Sequence, residues 1–229
     1  MRCLIFLIVF FISFQCIAQE FSRPFSVNYV SGYIGSKDSL LIKNFIKKHR
    51  YHGVLNHEIT ILDTAALIRP YMNEKQRSER IIGAGFRSHT IFVDLKNQRQ
   101  YFQSKPSGLE KFLVSENYRE TQYDLKNDSI SILGYTCYKA VVKTDDQHDT
   151  SRIMWYAPSL PYPIYFNGFT GLPGLVLANE FIKGQDRHVV IAKEIIPETR
   201  KIVKPFRGKQ VSQQEFSKAL ESLRQKINY

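Results

Sequence analysis

The stretch that most constrains the fold runs from Trp155 to Phe181, where the only tryptophan, many aromatic residues and a Pro-Gly step occur together. The step is Pro173-Gly174, and an apolar run, Leu175 to Ala178, follows it directly. Proline presets φ at the first central position of a β-turn, and glycine supplies positive φ at the second, so the step predicts a type II turn. The apolar run is too short for a helix and predicts a buried strand.

The aromatic residues before this turn allow two interpretations. In the first, they fill a packed core around the turn. In the second, they wall an apolar or sugar-binding site, and the nearby glycines let a ligand approach the backbone. The sequence leaves both open, and the candidate binding residues are Trp155, Tyr156, Tyr165, Phe166 and Phe169.

The turn also carries a resemblance to a known family. GLPGLV at residues 171–176 resembles the motif of the GLPGLI family of exported Bacteroidota proteins, with valine in place of the final isoleucine. ILGYTCYKA at 132–140 and WYAPSLP at 155–161 are similar to further blocks of that family, and the resemblance covers roughly residues 90 to 216. The motif residues are Gly171, Leu172, Pro173, Gly174, Leu175 and Val176.

The resemblance implies a signal peptide and export to the cell envelope. It implies no activity, because no catalytic residues are assigned to the family. Residues 1–18 fit a signal peptide: Arg2 is basic, Leu4 to Phe14 is an apolar segment short for a bilayer span, and Ala18 suits the position before cleavage. An uncleaved anchor or a lipid on Cys16 are the alternatives, although the residues before Cys16 do not form a lipobox. We therefore expect a periplasmic or outer-membrane-associated protein.

After such cleavage, residues 19–229 remain, a length that suits one domain. No linker or shift in composition divides this part, so we expect a single β-rich domain of the GLPGLI type. Cys137 is then the only cysteine, which rules out a disulfide within the mature chain. Since it lies among apolar and aromatic residues, we expect Cys137 to be buried, reduced and dispensable for chemistry.

The formal net charge of +11 bears on the partners of the chain. An exported protein is a poor candidate for nucleic-acid binding, so we expect no nucleic-acid partner. A basic balance suits anionic lipid head groups or acidic glycans at an envelope surface. Dispersed basic residues also fit a solvated surface with no partner.

Strand signals are regular from residue 90 onward. Thr90 to Leu95 and Arg99 to Phe102 predict a hairpin, and Tyr123 to Leu125 with Ser129 to Leu133 predict a second one around Lys126-Asn127-Asp128. Further strands are predicted at Phe25 to Tyr33, Ile59 to Leu62, Tyr135 to Lys143, Ile153 to Tyr156 and His188 to Ile196, and a short helix at Ser39 to Lys48. Residues 50–85 otherwise carry no clear pattern.

The end of the chain predicts an amphipathic helix. Ser212 and Glu215 form a capping box, and Phe216, Leu220 and Leu223 follow at helical spacing. A single apolar stripe must pack against another element. We therefore expect a mainly β (α+β) fold, in which one curved antiparallel sheet or half-barrel packs against this C-terminal helix. Such a fold is similar to the half-barrel of lipoprotein carriers.

The densest set of potential metal ligands is His49, His52, His57 and Glu58, but its spacing is not that of a HExxH site, and an exposed loop explains it equally well. No local catalytic or cofactor motif occurs, so we predict no cofactor and no metal. The sequence favours a non-catalytic envelope binding or carrier module for an apolar, lipid-like or protein ligand. The alternative is an exported hydrolase or metal-dependent enzyme built around this histidine cluster.

Overall fold

In the computed structural model, the described residues are 24–34, 54–70, 90–106, 108–117, 121–143, 150–165, 171–184 and 186–227. This part of the chain forms twelve strands and one helix. The strands are β1 (Phe25–Ile34), β2 (Val54–Leu62), β3 (Ala65–Pro70), β4 (Ile91–Asp94), β5 (Arg99–Ser104), β6 (Phe112–Asn117), β7 (Tyr123–Ile132), β8 (Tyr135–Val142), β9 (Thr150–Ala157), β10 (Leu175–Lys183), β11 (Asp186–Pro197) and β12 (Lys209–Ser212), and the helix is α1 (Gln213–Ile227).

All twelve strands belong to one open, curved sheet, in the order β12-β6-β5-β4-β3-β2-β1-β11-β10-β9-β8-β7. Strands β1 to β6 run outward from the centre, β7 to β11 run from the far edge back to the centre, and β11 pairs with β1. The mainly β fold is therefore confirmed. The expectation of a purely antiparallel sheet is wrong at one edge, where β12 pairs with β6 in parallel.

The predicted strands and the first hairpin are confirmed within the described part, and the second hairpin is wrong. Strand β7 continues through Lys126-Asn127-Asp128, and its pairing with β8 shifts there between Leu125 and Ser129. A bulge in the β7–β8 pairing therefore accommodates Lys126-Asn127-Asp128 within the strand. The actual turn is Leu133-Gly134, where φ is 54° and 86°, and positive φ at both positions suits a tight hairpin. The helix predicted at Ser39 to Lys48 lies outside the described residues.

Alternation along the strands defines two faces. The inner face carries Val27, Tyr29, Ile59 and Ile61, which are buried in the main core. Their neighbours in sequence, such as Ser26 and Thr60, point to the opposite, outer face, because successive side chains of a strand alternate. The outer face has its own small apolar cluster, made of Leu67, Phe92, Tyr101 and Leu113.

The GLPGLV segment turns differently from the sequence prediction. Positive φ occurs at Gly171 (98°) but not at Gly174, so the type II turn is wrong. Instead, the Gly174 N–H donates to the Leu172 carbonyl at 2.8 Å, which closes a three-residue turn around Pro173. A Cβ on Gly174 would lie 2.6 Å from the Ala157 carbonyl carbon and 2.9 Å from the Pro158 nitrogen. Gly174 is thus required by close backbone contact between the start of β10 and the end of β9.

The predicted helix and its cap are confirmed. The Ser212 N–H donates to Glu215 Oε2 at 2.7 Å, and the Glu215 N–H donates to Ser212 Oγ at 3.2 Å, which is a reciprocal capping box. Phe216 is buried and makes edge-on contacts with the rings of Phe102 and Phe112, 5.8 and 5.4 Å between centroids. Helix α1 therefore covers the inner face at its β5–β6 end and seals the core there.

Residues 198–208, hereafter the strap, connect β11 to β12 without regular secondary structure. These two strands are seven positions apart in the sheet, which at about 4.8 Å per strand is about 34 Å. Twelve residue steps from Pro197 to Lys209 reach about 40 Å when fully extended. The strap must therefore run nearly straight across the sheet, and its contacts with Glu58, Tyr101 and Gln103 place it on the outer face.

Candidate ligand-binding groove

The beginning of the strap is fastened to the outer face by a buried polar network. Ser26 Oγ lies 3.1 Å from Glu58 Oε1 on β2 and 2.9 Å from Glu198 Oε2 on the strap, so it bridges the two carboxylates. Thr60 Oγ1 donates to the same Glu58 oxygen at 2.9 Å. All four residues, Ser26, Glu58, Thr60 and Glu198, are buried. Buried carboxylates are tolerated only where hydrogen bonds and cations compensate them.

Arg200 supplies much of that compensation. Its Nε donates to Glu198 Oε2 at 2.6 Å, and its Nη2 contacts both Glu198 and Glu58. The Thr199 and Arg200 N–H groups donate to Glu198 Oε1, each at 2.8 Å. Arg69 Nη1 lies 3.4 Å from Glu58 Oε1. Among the described residues, two carboxylates thus face two guanidinium groups.

The pKa values of both carboxyl groups follow from these contacts. For Glu198, the hydrogen bond from the Arg200 side chain is the largest cause and lowers its pKa to about 2. For Glu58, burial raises the pKa, but the hydrogen bonds from Thr60 and Arg200 and the Arg200 charge outweigh it and leave the pKa lowered. Both groups are therefore ionised at neutral pH, and the strap is held by charge-assisted hydrogen bonds.

The rest of the strap packs on the apolar cluster of the outer face. Ile202 packs against this cluster, and Lys204 Nζ lies 3.9 Å from the centroid of the Tyr101 ring. At the far end, Gly208 has φ 120°, and a Cβ there would lie 2.8 Å from the Phe112 carbonyl carbon. The strap is thus anchored at its start, middle and end, and its backbone has a defined position over the sheet.

A groove of about 730 Å³ lies between the strap and strands β3 to β6. Its floor comes from the outer face of the sheet and its wall from the strap. The lining residues are Leu67, Arg69, Thr90, Phe92, Gln103, Lys111, Val203, Lys204, Pro205, Phe206 and Arg207. This volume lies within the range of small-molecule binding sites.

The charge of the groove is one-sided. Four lining residues are basic, and none of the described lining residues is acidic. Arg69 is balanced by Glu58 within the network, and Lys204 is attracted to Asp94 on β4. The excess positive charge therefore comes mainly from Lys111 and Arg207. Cations beside apolar surface suit a ligand with an anionic group and an apolar part.

The sequence-predicted aromatic residues lie elsewhere. Trp155, Tyr156 and Tyr165 are buried, while Phe166 and Phe169 fall outside the described residues. Trp155 Nε1 donates to Glu180 Oε1 at 2.9 Å, and the Tyr165 ring packs edge-on against Tyr29. Their role as the lining of an apolar site stays a prediction.

For His57 and Glu58, the described half of the histidine cluster, the exposed loop that the sequence allowed is wrong. His57 and Glu58 lie on strand β2 and are both buried. As neighbours on a strand they point to opposite faces: His57 stacks on Tyr29 in the core at 4.4 Å, and burial lowers its pKa to about 3, whereas Glu58 joins the network. The two side chains therefore cannot act on one substrate. His49 and His52 lie outside the described residues.

Three further observations concern the described part of the chain. Cys137 is buried as predicted, and burial raises the pKa of its thiol to about 12. No three His, Cys, Asp or Glu residues come close enough together there to hold a metal ion. No helix there combines the length and apolar character that a membrane span needs.

Sequence reasoning missed the network and the strap. Glu58 and Arg200 are separated by 142 positions, and Ser26 and Glu198 by 172, so no local pattern joins them. One signal was present: residues 200–209 read RKIVKPFRGK, a basic segment with apolar residues and proline, placed between a buried strand and a capping box. A basic, apolar connection of this length is unusual for a turn.

No family model and no curated protein matches the chain. Among solved structures, it is similar to PNGF-II in two crystal forms, with TM-scores of 0.54 and 0.52 and 15% identity. These matches cover 86% of this chain but 32% of PNGF-II, so the chain spans about a third of that protein. An uncharacterized conserved protein from Thermus thermophilus matches with a TM-score of 0.42 and 8% identity, over 88% of this chain and 99% of that one. The PNGF-II likeness shows the fold alone.

Proposed function

We propose that this protein is an exported, non-catalytic binding module of the cell envelope that takes a lipid-like ligand with an anionic group. The groove between the strap and the sheet carries the proposal, because it combines about 730 Å³ of space with apolar residues and excess cations. The anionic group of the ligand contacts Lys111, Lys204 and Arg207. The apolar part lies along Leu67 and Phe92 on the sheet.

Two earlier expectations form part of this proposal. The apolar segment at residues 4–14 and the GLPGLV resemblance support export. The half-barrel similarity to lipoprotein carriers supports a carrier role, although Phe216 fills the space beneath the helix. The ligand therefore belongs in the groove on the outer face rather than under α1.

Titration with a fluorescent fatty acid, such as dansyl-undecanoic acid, tests this function. We expect saturable binding, and about fivefold weaker binding for Lys111→Gln, since a hydrogen bond to a charged group on this exposed side chain contributes about 1 kcal/mol. The methyl ester of the probe lacks the charge and should bind about tenfold more weakly or worse.

The matched control is Lys183→Gln, which removes one exposed positive charge at the β10–β11 turn, away from the groove. It should leave the affinity unchanged. Equal affinity for acid and ester, or equal loss in both lysine variants, would show that the groove cations do not bind the ligand.

A further inference from the structure

We propose that residues 201–207 form a docking surface for anionic lipid bilayers, in which Val203 and Phe206 enter the interfacial region and the surrounding cations contact head-group phosphates. The inference rests on the proposed function in one respect only: the lipid-like ligand would enter the groove from the same bilayer. It assigns a partner surface to the exposed side of the strap, whose residues also form the wall of the groove.

The first observation is exposure. Phe206 is 73% exposed and Val203 is 64% exposed, which are the two highest values among the large exposed apolar residues of the described part of the chain. They lie three residues apart on the strap, which has no regular secondary structure. Isolated apolar residues on a surface need no explanation, but two prominent ones together on an irregular segment indicate an interaction site.

Second, the packing of the strap on the sheet keeps these two side chains exposed. Ile202 packs beneath the strap, Lys204 lies over Tyr101, and Gly208 closely approaches the backbone at Phe112. Pro205 restricts the backbone between Lys204 and Phe206. The anchored strap therefore presents Val203 and Phe206 to solvent without first having to become ordered.

The third observation is the charge around these two side chains. Lys201, Lys204, Arg207 and Lys209 fall within nine residues and are exposed, and Lys111 lies across the groove. Glu110 lies 3.2 Å from Lys209 and balances that charge. Each basic residue near an anionic bilayer surface strengthens binding about fivefold. Lys204 lies over the Tyr101 ring and is attracted to Asp94 on β4. The cations that remain around the exposed apolar pair, with no acidic partner among the described residues, are Lys111, Lys201 and Arg207.

The geometry favours a bilayer over an acidic protein partner. Val203 and Phe206 are both largely exposed, so a folded partner would need a matching cavity for each. A bilayer interface deforms around a projecting aromatic ring while basic side chains extend toward the phosphates. The same combination of an apolar tip and a basic rim is typical of surfaces that lie on membranes.

Vesicle co-sedimentation tests the inference, with the predicted mature chain from Gln19 so that the apolar residues 4–14 do not contribute. We expect binding to equimolar phosphatidylglycerol–phosphatidylcholine vesicles, little binding to phosphatidylcholine alone, and a marked decrease at high salt. Phe206→Ser should weaken vesicle binding about tenfold or more, because an exposed phenylalanine gains much of its burial energy at the interface. Lys201→Gln, outside the groove lining, should weaken it about fivefold.

Leu125→Ser is the matched control, since Leu125 is 55% exposed on β7 at the other edge of the sheet. It should leave vesicle binding unchanged, and unchanged melting temperatures would confirm that all variants fold. Equal binding to neutral vesicles, or an equal effect of Leu125→Ser and Phe206→Ser, would overturn the inference. Binding to an acidic peptide such as polyglutamate with none to anionic vesicles would also overturn it and favour an acidic protein partner.

The experiments distinguish a failure of the docking surface from a failure of the groove function. If the soluble fatty-acid probe binds but anionic vesicles do not, the groove function stands and the docking surface is wrong. If vesicles bind and depend on Phe206 but the probe does not, the docking surface stands and the groove function is wrong.

Discussion

Gly174→Val is expected to lower the free energy of unfolding by about 3 kcal/mol or more, because overpacking against a fixed backbone exceeds the usual 1–3 kcal/mol. The new Cβ would overlap the carbonyl group of Ala157 and the nitrogen of Pro158, which belong to the backbone and cannot rotate away. The Leu175 N–H, which donates to the Leu160 carbonyl at 2.8 Å, would be displaced with it. Urea unfolding followed by circular dichroism measures the change.

Gly134→Asn is the control for that variant. Gly134 has φ 86°, but a Cβ there meets nothing within 4 Å, and asparagine tolerates positive φ. Gly134→Asn should therefore lower the free energy of unfolding by less than about 1 kcal/mol. A Gly174→Val variant as mild as Gly134→Asn would show that β9 and β10 do not approach this closely.

Arg200→Gln is expected to lower the free energy of unfolding by about 2–3 kcal/mol. Removing one partner of a buried ion pair typically costs about 3–5 kcal/mol, and the lower value follows because Arg200 is half exposed and Arg69 still faces Glu58. Arg200→Lys keeps the charge but not the forked hydrogen bonds, so it should cost less. The loss of the strap anchor should also weaken fatty-acid binding in the groove.

The effect of Arg200→Gln should depend on pH with a defined sign. In the wild type the pKa of Glu198 is lowered to about 2, so the stabilisation by ionised Glu198 is complete above its ordinary pKa, about 4.3. It is lost as the pH falls through about 2. The stability difference between wild type and variant should therefore shrink between about pH 4 and pH 2. A difference that stays constant over this window would mean that Arg200 does not hold the carboxylates.

Local patterns predicted the parts of the fold that depend on neighbouring residues. The Ser212–Glu215 capping box, the β4–β5 hairpin and the buried strand after Gly174 were all readable from spacing and residue type. Residues typical of a turn led to a wrong hairpin prediction in strand β7, because a bulge in its pairing with β8 accommodates them. Gly174 was misassigned because close contact with Ala157 depends on a pairing that the local sequence does not show.

The candidate groove could not be predicted for the same reason. Its floor comes from β3 to β6 and its wall from a segment about a hundred positions later, so only the crossing of the strap brings them together. Alternation on β2 also separated His57 from Glu58, which are adjacent in sequence. Basic residues that look dispersed along the chain converge at the groove once the strap lies on the sheet.

The site itself is tested most directly by photo-cross-linking with a fatty acid that carries a diazirine on its alkyl chain, followed by mass spectrometry of the labelled peptides. We expect labels on residues 201–207 and on the facing strands β3 to β6, and we expect excess unlabelled fatty acid to reduce them. Displaceable labels on residues 155–165 instead, among the aromatic residues Trp155 and Tyr165, would contradict the groove and place the ligand in the aromatic site.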